Sequence, residues 1–176
     1  MSDSSFKNGN TSLNEILVKG PNTLNDIYNN LVKFRSYEIG LMFDLTKAYN
    51  SLLTGMVERH CRRMWMRLSP EDPWCLWGFN TVQFGDMSAA ALLSVAVEKA
   101  SENWEEVAKI LSLPPEEVKE DAIKALHDVY VDDGTSGGNK QQVDRMQGTR
   151  GEDGQFTGTI PTLFKTVGLT LQIKYK

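Results

Sequence analysis

Apolar residues recur at spacings of three and four over Leu24, Ile27, Leu31 and Phe34, which places them on one face of a helix that Asn22-Thr23 would cap. The residues ahead of it are rich in Ser, Asn, Asp and Gly and carry no period. They read as an irregular lead-in over residues 1–11, with order beginning near Ser12. Ile39-Gly40-Leu41-Met42-Phe43 is a short apolar run ending at Asp44, the pattern of a buried strand that delivers a carboxylate to a sheet edge. Residues 45–66 read as mostly helical, with Gly55 as a break. Pro70 to Pro73 is a turn, after which Trp74-Cys75-Leu76-Trp77-Gly78-Phe79 and Thr81-Val82-Gln83-Phe84 read as a strand pair closed by Gly85-Asp86.

The run from Ala89 to Val97 is apolar nearly all round, which predicts a helix buried on more than one side and continuing toward Ala100. A second helix around Trp104 to Leu111 stops before Ser112-Leu113-Pro114-Pro115, and a third starts with Glu116-Glu117, acids suited to a first turn. Val129-Tyr130-Val131 reads as a strand entering a tight turn at Asp132-Asp133-Gly134, with His127 a residue of that strand and Thr135 to Lys140 a polar run beyond it. Gln141 to Met146 and Gly158 to Val167 read as helices, and Leu169-Thr170-Leu171-Gln172-Ile173 alternates like a final strand. Strands interspersed with helices give an α+β class.

At 176 residues and 40% hydrophobic, the chain suffices for one domain with a real core. It has no run of about 18 apolar residues, and Met1-Ser2-Asp3-Ser4-Ser5 lacks the regions of a signal peptide. The expectation is a soluble, intracellular protein with no membrane partner. Cys61 and Cys75, with only His60 and His127 as further soft ligands, read as ordinary reduced thiols and not as a zinc site. A formal charge of −4 is the wrong sign for tight independent binding to a phosphate backbone.

Carboxylates carry the candidate chemistry. If the strand ending at Asp44 lies beside the one leading to Asp132 and Asp133, three carboxylates converge, and their repulsion makes the cluster a site for cations. Such a cluster suits phosphoryl transfer assisted by two divalent ions. The plainer alternative is a hairpin turn at Asp132-Asp133-Gly134, chosen for its tolerance of positive φ, and a helix cap at Asp44.

Tyr130-Val131-Asp132-Asp133 resembles the Tyr-x-Asp-Asp motif of reverse transcriptases, and Asp44-Leu45-Thr46-Lys47-Ala48-Tyr49 resembles their upstream motif. With Ser12 to Pro21, then Phe84-Gly85-Asp86, then Tyr130 to Gly138 in order, the chain resembles the polymerases of Pao (BEL-like) retrotransposons over nearly its whole length. The resemblance implies a polymerase palm with an antiparallel sheet and packed helices over residues 12–176, with partial fingers and no thumb. It further implies an RNA-directed DNA polymerase activity that transfers a nucleotide from a dNTP to a primer 3′-hydroxyl on an RNA or DNA template.

In that family pattern Asp44 and Asp132 hold two Mg2+ ions, for which Mn2+ substitutes, with Asp133 supporting them. Leu45 contributes its backbone carbonyl, Tyr49 screens the sugar 2′ position, and Gly85 approaches the template and nascent pair. Plainer readings of the last two are a core aromatic for Tyr49 and a strand-ending turn for Gly85. Ser88 stands where relatives carry a Pro, so the local backbone is less constrained.

Lys174 matches a late-palm lysine that protonates the leaving pyrophosphate, or else is an exposed lysine near a terminus. Arg59-His60-Cys61-Arg62-Arg63 with Trp65 and Arg67 reads as a solvated helix face, the alternative being a nucleic-acid contact. Relatives place an Arg ahead of the segment Ser2-Asp3-Ser4-Ser5 and continue into thumb and RNase H regions. The expectation is therefore a fragment that needs those parts for activity, with a catalytically inactive, transposon-derived binding module as the alternative.

Overall fold

The structure, a computed structural model, describes residues 4–175; Met1 to Asp3 of the expected lead-in lie outside the described residues. In chain order the elements are β1 (Lys7–Asn8), β2 (Thr11–Ser12), α1 (Leu13–Ile16), α2 (Ile27–Arg35), β3 (Ile39–Thr46), α3 (Ala48–Ser51), α4 (Met56–Cys61), β4 (Arg63–Met66) and β5 (Cys75–Gly78). Then follow α5 (Ala89–Glu102), α6 (Trp104–Leu111), α7 (Pro115–Asp128), β6 (Val129–Tyr130), β7 (Asp133–Gly138), α8 (Lys140–Gln147), α9 (Thr159–Thr166) and β8 (Thr170–Tyr175). The class is mixed α+β. The chain divides into two compact units, Met1–Gly20 with Tyr49–Ala89, and Pro21–Ala48 with Ala90–Lys176.

The second unit is built on a four-stranded antiparallel sheet in the order β6-β7-β3-β8. Its central strand β3 alternates, with Leu41, Phe43 and Leu45 buried and Met42, Asp44 and Thr46 half-buried on the other face. Asp44 thus lies within the strand and does not end it: backbone pairing with Leu171 and Thr170 of β8 carries β3 on through Leu45 and Thr46. Helix α9 covers the apolar face with Ile160, Leu163 and Phe164, and Leu163 joins Val107, Ala108, Val118 and Ala122 in a shared cluster.

Helices α7, α8 and α9 are pinned by charge as well as by apolar contact. Arg145 donates from Nε and Nη2 to the two oxygens of the fully buried Asp121, each at 2.8 Å, and Thr159 Oγ1 donates to Asp121 at 2.6 Å. Asn139 caps α8 through a reciprocal pair with Gln142. The cap of α2 is Asp26, which accepts from Tyr28 and Asn29, and not the expected Asn22-Thr23. The apolar face predicted for that helix is incompletely covered, with Ile27 and Leu31 exposed. Helix α5 likewise buries one side, through Leu93, Val97 and Ala100, and leaves Leu92 and Val95 exposed.

In the first unit the stretch expected to be helical breaks twice. Gly55 caps α4, and Arg63–Met66 leaves the helix to pair with Cys75–Gly78. The strand pair is therefore β4-β5, and Thr81 makes only an isolated bridge with Leu53. The lead-in, expected to be irregular, contains the small β1-β2 hairpin. Among the described residues no helix is long and apolar enough to cross a membrane.

Candidate functional site

Register brings Asp44 and Asp133 directly opposite each other on β3 and β7. The Leu45 N–H donates to the Asp132 carbonyl at 2.9 Å, so the ladder continues to the edge of the turn. On the other side of β3 the register shifts between Met42 and Phe43, and Lys174 is the residue inserted at that bulge. A bulged residue is released from direct pairing, which lets its side chain be re-aimed. Lys174 Nζ donates to Asp133 Oδ1 at 3.2 Å and lies 3.4 Å from Asp44 Oδ1. The hydrogen bond to Asp133 and the charges of Asp44 and Asp133 prevail over desolvation and raise the Lys174 pKa above its ordinary 10.5.

The turn presenting these carboxylates is under strain. Val129 pairs with Gly134 and Tyr130 with Asp133, which leaves Val131-Asp132 as a two-residue hairpin loop. Such loops need a positive φ at the first position, normally supplied by Gly. Val131 occupies it at φ 60°. A β-branched side chain in the left-handed region costs about 1–2 kcal/mol, and residues held in this way concentrate at functional sites. The plainer alternative of a turn at Asp132-Asp133-Gly134 puts the positive φ there; it falls one residue earlier, at Val131, and Asp133 and Gly134 already belong to β7.

Gly134 is required for a different reason. A Cβ there would lie 2.1 Å from two ring atoms of Phe43, which is itself buried against Phe164 at a centroid distance of 6.0 Å. The missing side chain lets β7 close onto β3, and that closure sets Asp133 beside Asp44. Asp132, half-buried in the loop, has no ion-pair partner among the described residues. Nor do those residues include three His, Cys, Asp or Glu side chains gathered as a metal site. Asp44 and Asp133 are brought together with a lysine between them, and Asp132 adjoins them through the chain.

Tyr49 and Gly85 belong to the first unit. Tyr49 meets Phe84 edge-on, with ring centroids 5.9 Å apart. Gly85 has φ 94°, a conformation strained for other residues, and a Cβ there would meet nothing within 4 Å. Asn14 clasps this turn, donating to the Gly85 carbonyl at 3.0 Å and accepting from Met87 N at 2.8 Å. Two segments that carry the resemblance, Ser12 to Pro21 and Phe84 to Asp86, therefore touch. Asp86 is a buried anchor, accepting from Ser4 Oγ at 2.6 Å, Arg62 Nε at 2.9 Å and Gln83 N at 3.1 Å. That removes Arg62 from any solvated helix face.

Several residues that support the site were not singled out by sequence reasoning. Asn25 donates to the Leu126 carbonyl at 2.9 Å and to the Val129 carbonyl at 2.7 Å, fastening the junction where α7 becomes β6. Asp128, buried, accepts from Lys33 Nζ and from Ser136 Oγ, each at 2.7 Å. A polar residue on an otherwise amphipathic helix gives no local sign of such a role. His127 lies in α7 and not in a strand, and both cysteines are free and exposed thiols. Compared with known proteins, the chain matches no family model and no curated protein sequence.

Proposed function

We propose that this chain is the palm region of an RNA-directed DNA polymerase, similar to the reverse transcriptases of Pao (BEL-like) retrotransposons. It would join a primer 3′-hydroxyl to the α-phosphate of a deoxynucleoside triphosphate. The observation that carries this reading is the cross-strand pairing of Asp44 with Asp133 beside a strained Tyr130-Val131-Asp132-Asp133 turn.

A divalent cation would take Asp44 and Asp133, which face each other across the ladder, with Asp132 adjoining them through the chain. Carboxylate oxygens are the hard donors that Mg2+ and Mn2+ prefer, and a cationic group, the Lys174 ammonium, already lies between Asp44 and Asp133. Asp44, Asp132 and Asp133 would hold the ions, which when bound supply charge stabilisation to the attacking and leaving oxygens. Lys174 would, as the family resemblance implies, donate a proton to the leaving pyrophosphate. Leu45 and Asp132 are tied by a backbone hydrogen bond, so the turn and the carbonyl side of β3 keep one register. Tyr49 would screen the sugar 2′ position, and Gly85 would lie against the template.

The test uses a longer chain that supplies fingers and thumb and extends poly(rA)·oligo(dT) with magnesium. Asp132→Asn is expected to reduce extension to background, and undiminished extension would overturn the assignment. A second reading, an inactive descendant that serves as a binding module, draws support from the same lysine, which neutralises the carboxylates from within the chain. Under that reading the longer chain would show no extension even before mutation.

A further inference from the structure

The buried Asp86 of the first unit satisfies its own oxygens but not its partner. Ser4 Oγ donates to Oδ1, while Arg62 Nε and the Gln83 N–H donate to Oδ2. Arg62 meets that carboxylate through Nε, and its side chain is 3% exposed. Its Nη1 has no acceptor among the described residues. A buried charged donor without an acceptor is costly, because the water it gave up is not replaced. Arg145, the other largely buried arginine of a charge network, shows the usual arrangement: Nε, Nη1 and Nη2 all meet carboxylates.

Arg62 also forms part of the wall of a cavity of about 200 Å3 that lies wholly within the first unit. Leu13, Met64 and Phe79 give the cavity apolar sides, and the exposed Cys61 stands in its wall beside Arg63. At about 30 Å3 for each water-sized group, the space takes a molecule of about six non-hydrogen atoms. Water alone would find few partners against the apolar sides. Charge decides the sign of the occupant. Arg62 and Asp86 cancel, whereas Arg63, which leans on His60, has no carboxylate partner among the described residues. One positive charge is left over. A single carboxylate on a short apolar body matches the spare Nη1, the surplus charge and the apolar walls together. Phosphate carries more than one charge at neutral pH and would set the excess against Asp86.

We propose that this cavity binds a small aliphatic monocarboxylate, with Arg62 Nη1 donating to the carboxylate and Arg63 supplying the balancing charge. The inference goes beyond the polymerase reading and uses none of Asp44, Asp132 and Asp133. Its test can therefore fail or succeed independently of that reading.

Butyrate has the required size and is the probe. Binding is read on the full chain as the rate at which neutral iodoacetamide alkylates Cys61, followed by peptide mass spectrometry at constant ionic strength. Cys75, exposed and outside the cavity, is the internal reference. Half-protection is expected near about 1 mM butyrate, in keeping with so small a ligand. At ten times that concentration about a tenth of the sites stay free, so Cys61 should react about tenfold more slowly while Cys75 keeps its rate. Butyramide, of the same shape but uncharged, and inorganic phosphate should each need at least about tenfold more for the same effect. Arg63→Gln, at an exposed position, should weaken butyrate about threefold. Arg62→Lys keeps a cation for Asp86 but removes Nη1, and should abolish protection. If far-UV circular dichroism shows that variant unfolded, Leu13→Phe, which fills the cavity and leaves Arg62 intact, should abolish it instead. Three outcomes would overturn the proposal: no protection of Cys61, equal slowing of both thiols, or protection by butyramide or phosphate as good as that by butyrate. The first would leave water as the occupant, and the last would remove the carboxylate from the assignment.

Discussion

Gly134→Ala should unfold the carboxylate hairpin's support, and the size of the effect follows from one contact. The added Cβ would sit 2.1 Å from Cε2 and Cζ of Phe43 and 2.6 Å from Cδ2, whereas ordinary contact begins at 3.4 Å. The ring must therefore retreat by about 1.3 Å, which close-packed interiors resist. Phe43 is 1% exposed, with Phe164 against it, so no empty space receives it. Overpacking of this kind costs about 1–3 kcal/mol, and so deep an overlap belongs at about 3 kcal/mol. For a chain of this length that corresponds to a fall in Tm of roughly 6–12 °C. Urea unfolding followed by far-UV circular dichroism gives the magnitude. The decisive control is Phe43→Leu, which vacates the collision: the double variant should be more stable than the two single losses added together, by at least about 1 kcal/mol. A Gly134→Ala protein within about 0.5 kcal/mol of wild type, or a double variant showing no such coupling, would refute the reasoning.

Two further outcomes are expected. Arg145→Ala strands the buried Asp121 carboxylate and should cost about 3–5 kcal/mol by chemical denaturation, with Arg145→Lys giving poor rescue because the two-pronged contact is lost. Stability should also fall at alkaline pH. Burial opposes the charge on Lys33, but its hydrogen bond to Asp128 and the charge of that carboxylate raise its pKa above the ordinary 10.5. Burial and then Asp128 raise Tyr37 above 10.0. Groups whose folded pKa is raised contribute stability that is complete below their unfolded values and lost as pH climbs through the folded ones. The decline should thus begin only above about pH 10 and be shallower in Lys33→Met, as denaturation series at stepped pH would show. An equal slope in that variant would remove Lys33 from the account.

Much of the second unit was legible because its elements obey local rules. Helices α6, α7, α8 and α9 and strand β8 lie close to where period and capping residues place them. β7 is not legible in the sequence because Asp133-Gly134-Thr135-Ser136-Gly137-Gly138 contains Thr135 as its only residue of a type that favours strands. It is held by the space it leaves for Phe43, a property of the partner strand and not of its own composition. The β4 strand was read as helix because Arg63-Met64-Trp65-Met66 has no turn signal ahead of it, and only its partner at Cys75–Gly78 decides its conformation. At the candidate site, the neighbouring acids could be picked out in the chain. Which of them face each other could not, since that depends on register. The place of Lys174 beside Asp44 and Asp133 is not legible for the same reason, because it comes from a bulge.

The lysine between Asp44 and Asp133 also bears on how the hairpin forms. Two carboxylates opposed across an antiparallel ladder repel, which costs the strand pair up to about 1 kcal/mol. Here the compensating charge is tethered on β8, a strand already hydrogen-bonded to β3. Its local concentration is fixed by the chain and is indifferent to dilution. The chain thus carries its own counter-charge for this hairpin, and closing it calls on no dissolved cation.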